Sequence, residues 1–134
     1  MARNAKAKAT AVRPTQLLHL RREAVRTLQE LEQAIVRTRE QLKFMETVMR
    51  RIRKLIEAGH PATEVALQVN AAEAREATSE ILREVQGARH RAQRAQFKLA
   101  TAEGSTMAEI ARGWGVSRQL VSRMVKEASP RRPR

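Results

Sequence analysis

From Leu17 onward, apolar residues return at alternating steps of four and three: Leu17, Arg21, Ala24, Leu28, Leu31, Ile35, Thr38, Leu42, Met45, Met49, Ile52 and Ile56, with ten of the twelve positions apolar. A strand alternates with period two, so a repeat this long on this spacing specifies a helix with a coiled-coil seam. Pro14 suits its first turn, where a missing N–H costs nothing. The series stops at Glu57-Ala58-Gly59-His60-Pro61, where glycine supplies a helix end and proline blocks simple continuation. A second series follows with the same spacing: Leu67, Ala71, Ala74, Thr78, Ile81, Val85, Ala88, Ala92, Ala95 and Leu99. Its side chains are far smaller, and large residues facing alanines let two backbones approach closely. The short connection makes the two helices, about 15–58 and 62–102, antiparallel neighbours. Thr38 and Thr78, roughly 20 residues either side of the bend, then fall within about one turn of each other. The alternative is that the repeats pair between chains and no hairpin forms.

The expected fold is therefore all-α: a long antiparallel helical hairpin over 14–102, with small elements appended. Only Phe44, Phe97 and Trp114 are aromatic, 2% of the chain. Rings contribute much of the buried area in most cores, so thin helical bundles are favoured over sandwiches or barrels. Residues 1–13 form a basic tail without apolar periodicity, and 129–134 form a second one. With no cysteine, disulfides and thiolate chemistry are excluded. His19, His60 and His90 lack metal-ligand spacing, so neither metal nor cofactor is expected. No apolar run approaches a membrane span, and the basic start lacks the apolar stretch of a signal peptide. A cytoplasmic, nucleoid-associated protein is the expectation.

The formal net charge is +13. Residues 61–104 are neutral, whereas the first 14 residues carry +4 with no acid, residues 15–60 carry +4 and the last 30 carry +5. The net excess and the scarcity of acids at the two ends point to a polyanionic partner. An enzyme is not expected, because no paired acids accompany the lysines and arginines to give a general acid–base arrangement.

Gly104 ends the second helix, and Thr106-Met107-Ala108-Glu109 has the spacing of a capping box. Next come Ile110, Ala111, Trp114, Val116, Val121, Met124 and Val125 on an inner face, with Gly115 in the turn and Ser117 as a second N-cap. The stretch AEIARGWGVSRQLVSR resembles the helix-turn-helix superfamily, most closely the DNA-binding domains of resolvases and of sigma-factor C-termini. The resemblance covers about 25 residues within 103–128 and leaves the coiled coil without a family.

That resemblance implies a double-stranded DNA partner, with residues 118–126 as the recognition helix in the major groove. Ser117, Arg118, Gln119, Ser122, Arg123 and Lys126 are the outward side chains. Arg118 and Gln119 are candidates for base reading; Arg123, Lys126 and Ser117 suit phosphates. Leu120 stands apart as an apolar residue on this face, able to pack inward or to touch a thymine methyl. A third helix must cover the pair, so Phe97, Leu99 or Ala100 should face Trp114 and Val121. Arg21, Arg22 and Arg26 should then converge with Arg89, Arg91, Arg94 and Lys98 as phosphate contacts, together with Arg112. The basic knot at Arg50-Arg51-Ile52-Arg53-Lys54 belongs to the other end of the hairpin, for a second DNA segment, an acidic partner or solvent.

Three functions compete. One is a dimeric transcriptional regulator, the second an architectural or partition protein bridging or coating DNA, the third a coiled coil that docks another protein. A dimer is expected because helix one carries apolar residues off its seam: Leu18, Val25, Val36, Phe44, Val48 and Leu55. Two hairpins should bury Val36, Phe44 and Val48 between them.

Overall fold

A computed structural model describes residues 12–127, so most of both basic tails lies outside the described residues. Among the described residues there are five α-helices: α1 (Pro14–Glu57), α2 (Ala62–Gln68), α3 (Ala71–Ala102), α4 (Met107–Trp114) and α5 (Arg118–Lys126). There are no strands among the described residues. The chain forms two compact units, a terminal one from Met1–Leu28 with His90–Arg134 and a middle one from Gln29–Arg89. The expected antiparallel all-α hairpin is observed, with α1 packed on α3. No described helix is long and apolar enough to cross a membrane.

In the middle unit the hairpin is antiparallel: Arg37 pairs with Glu84, Thr38 lines a groove with Val85, and Met45 lines another with Thr78. Thr38 and Thr78 are thus about two turns apart rather than within one. Each hydroxyl instead donates within its own helix, to Ala34 O at 2.7 Å and Ala74 O at 2.8 Å.

The connection explains the offset. Gly59 takes a left-handed φ of 91°, and His60 N–H reaches back to Leu55 O at 3.0–3.1 Å spacing typical of a Schellman end, here 3.1 Å. A separate helix, α2, follows, with Val65 buried. The second helix is not continuous over 62–102, because Asn70 is left-handed at φ 52° and breaks it. Asparagine is one of the few side chains that tolerates this conformation. Leu67, expected on the seam, precedes the break and is exposed.

The seam of α1 also differs from the expected one. Leu17, Ala24, Leu31, Thr38, Met45 and Ile52 do face inward, but their partners are the residues three positions on: Leu20, Thr27, Ala34, Gln41, Val48 and Leu55. Ile35, Leu42, Met49 and Ile56 are exposed instead. The reason lies opposite them. Ala74 and Ala88 are buried on α3 and meet a seam that includes the equally buried Ala34, small side chains that let two helices approach closely. Val48 is therefore buried within its own chain and does not serve a second one. Gln41 is the polar exception on the seam, and its Nε2 is buried without a hydrogen-bond partner.

Candidate nucleic-acid interface

The terminal unit builds its site on two short helices. Thr106 Oγ1 accepts from Glu109 N–H at 3.1 Å, and Glu109 Oε1 accepts from Thr106 N–H at 3.3 Å, so the capping box is complete. After α4, Gly115 lies at φ 66°, ψ 36°, and Val116 N–H bonds Ala111 O at 2.9 Å. A Cβ on Gly115 would meet open space, so glycine serves the turn's conformation and not its packing. Ser117 then caps α5, its Oγ accepting from Leu120 N–H at 3.1 Å.

Beneath the turn, Phe97, Ile110, Ala111, Val121 and Met124 form one buried cluster, with Ala100, Met107, Val116, Leu120 and Val125 packed on it. The third helix is α3, as required. Phe97 does face Trp114, edge to face, with ring centroids 5.3 Å apart. Their roles are reversed, however. Phe97 is fully enclosed while Trp114, at the very end of α4, is 43% exposed. Leu120 turns inward onto the core, which settles its odd position on the helix.

Five outward residues share one surface. Arg118, Gln119, Ser122, Arg123 and Lys126 line a single shallow depression, joined by Met107 from α4. Steps of three and four along α5 place them there. Arg118, Gln119, Arg123 and Lys126 are exposed and Ser122 is half-buried. Ser117 is exposed beside them, its oxygen occupied by the cap while its O–H can still donate. Met107 carried no signal in the sequence, having been absorbed in the capping turn.

The nearby acids are engaged. Glu109 is held in the capping box. Glu127 Oε2 lies 2.8 Å from His90 Nε2, and that hydrogen bond is the main reason its carboxyl sits below the usual glutamate range. No ion pair engages Arg118, Arg123 or Lys126 among the described residues. The face is open and cationic.

The cations expected to cluster as phosphate contacts come together only in part. Arg22, Arg91 and Arg112 are exposed in the terminal unit. Arg21 pairs with Glu103 at 3.4 Å and Arg26 with Glu23, while Arg89 belongs to the middle unit. Arg94 is a correction: it is 8% exposed, too enclosed for a surface contact. Lys98 Nζ donates to Glu127 O at 3.4 Å, and burial lowers its pKa. Both changes have one cause. Over 90–102, α3 packs on two sides, with Ala92, Ala95 and Leu99 continuing the coiled-coil seam and Phe97 turned to α4 and α5. The sequence sets Phe97 on that second face but gives no sign that Arg94 and Lys98 are drawn in beside it.

At the knot, Arg50 pairs with Glu46 and Arg53 with Glu57 on their own helix. Among the described residues no three His, Asp or Glu side chains group as metal ligands. No protein-family model matches the chain, and neither does any curated protein or solved structure.

Proposed function

We propose that the chain binds double-stranded DNA as a dimeric transcriptional regulator, with α5 as a recognition helix of the helix-turn-helix kind. The observation that carries this reading is the shared face of Arg118, Gln119, Ser122, Arg123 and Lys126, whose cations make no ion pair among the described residues, backed by a capped turn. Arg118 and Gln119 occupy the first turn of α5, the part of such a helix that reaches base edges. Arginine takes guanine and glutamine takes adenine in bidentate fashion. Arg123, Lys126 and the Ser117 hydroxyl suit phosphate oxygens, with Arg22, Arg91 and Arg112 as further cations in the same unit. One such helix reads only a few base pairs, so useful specificity calls for two copies and two half-sites, about 34 Å apart or a multiple of that.

Selection from randomised DNA with the wild-type chain tests the reading. An enriched motif is expected, and Arg118→Ala or Gln119→Ala should relax it at single positions. Lys126→Ala should instead weaken all sequences alike and reduce the salt slope by about one unit. Tight binding with no enriched motif would transfer the proposal to an architectural protein that coats or bridges DNA. Absence of DNA binding at low salt would remove both.

A further inference from the structure

The middle unit leaves large side chains in water in an ordered way. Ile35, Leu42 and Met49 recur every seven residues along one flank of α1 and are 49, 50 and 49% exposed. Leu82 of α3, 45% exposed, follows the seam residue Ile81 as Leu42 follows Gln41. Two grooves open beside the stripe, one floored by Thr38 and Val85 and the other by Ala74 and Thr78. Knobs next to holes are what one helix of a bundle presents to another.

The charges beside the stripe select the occupant. Glu32, Arg39, Glu46 and Arg53 follow it round the helix, all exposed, with the sign alternating every seven residues. A two-fold axis perpendicular to the helix turns this flank onto its own copy, so residue i meets j and j meets i. With the axis at Leu42, Leu42 meets Leu42 and Ile35 meets Met49, while Arg39 comes within one residue of the level of Glu46 and Glu32 within one of Arg53, about 1.5 Å along the helix. Sliding the pair by one heptad sets arginine against arginine and glutamate against glutamate. In-register parallel pairing likewise brings each charge level with its own copy. A slide of two heptads again pairs unlike charges but keeps only two of the four contacts, so the axis at Leu42 is the register that satisfies all four.

We infer that this stripe is where two copies of the chain associate, α1 against α1, antiparallel, with the two-fold axis at Leu42. The inference rests on the dimer of the proposed function and gives it an interface. It replaces the surface expected from sequence, since Val48 is buried in its own chain and Phe44 shares the opposite flank with Arg37. The contacts that Glu46 makes with Arg50, and Arg53 with Glu57, are exposed pairs within one helix and are easily exchanged.

The chain has no cysteine, so introduced ones report without background. Leu42→Cys places two thiols at the axis, whereas Ile56→Cys separates its copies by about 42 Å at ~1.5 Å per residue. Sedimentation equilibrium at micromolar concentration should show a wild-type dimer. Mild oxidation should cross-link Leu42→Cys and leave Ile56→Cys uncoupled. Arg39→Glu and Glu46→Arg should each weaken the dimer about tenfold, and the double swap should restore it, with helicity by circular dichroism unchanged throughout. A monomeric wild type would overturn the dimer and this interface together. A dimer that cross-links equally at both cysteines, or that the double swap fails to rescue, would overturn the antiparallel interface and leave the dimer standing.

Discussion

In the terminal unit, Phe97, Ile110, Val121 and Met124 are enclosed, whereas in the middle unit the enclosed side chains are Ala34, Val65 and Ala88, and Ile35, Leu42, Phe44 and Met49 stand half in water. The first unit has a third helix to cover its large residues, and its outer face is left to charge. The second packs two helices over a seam of alanines with Leu31, Met45 and Val48, and leaves the large residues of its flank outward. Two kinds of surface follow from two ways of closing a helical core. A cationic face suits a polyanion, and an apolar flank suits another helix.

The sharpest way to break this comparison is to empty the terminal core. Phe97→Ala removes a fully buried ring and should cost ~3–5 kcal/mol, the usual large-to-small range. Trp114→Ala removes a larger ring but one already part-exposed, and should cost at most about 2 kcal/mol. Thermal melts followed by circular dichroism compare the two. If Trp114→Ala proves the more damaging, the enclosed ring is not what holds the terminal unit together.

A smaller effect with the opposite sign should sharpen the contrast in the middle unit. Gln41→Leu removes a buried amide nitrogen that has no partner there. Leaving such a group unsatisfied typically costs ~1–3 kcal/mol, so the substitution should raise the melting temperature. A fall would mean that the narrow seam, and not the unpaired amide, limits this position.

The smallest expected effect concerns His90 and Glu127. Hydrogen bonding to His90 holds the Glu127 pKa down, so the folded state binds this proton less readily than the unfolded chain. The pair's contribution is therefore present above the ordinary glutamate range and is lost as pH falls through the lowered folded value. In His90→Ala, the Glu127 carboxyl should titrate closer to its ordinary range, as followed by carbon-detected NMR. An unchanged titration would assign the shift to the neighbouring cations Arg94 and Arg123.

The terminal site was the more legible of the two regions, and the reason is local. Capping boxes, a left-handed glycine and an N-cap serine act within four residues, so Thr106, Glu109, Gly115 and Ser117 could be placed from spacing alone. The outward positions of α5 followed from helical geometry once its start was known. The break at Asn70 was harder to read, because asparagine adopts both helical and left-handed backbone and nothing in its neighbours marks which.

The sequence by itself determined that the chain is helical, where α1 ends, and which side chains of α5 face outward, since each depends on interactions between residues a few positions apart. Only the tertiary structure decided which of two overlapping heptad stripes of α1 lies inside, and that Arg94 is enclosed where α3 packs on a second face. Both stripes carry the same period, so the repeat cannot choose between them. The choice was made by the alanines of α3, whose closeness admits Ala34 and excludes Ile35, and by the need of α4 and α5 for a third helix, which encloses Arg94 along with Phe97.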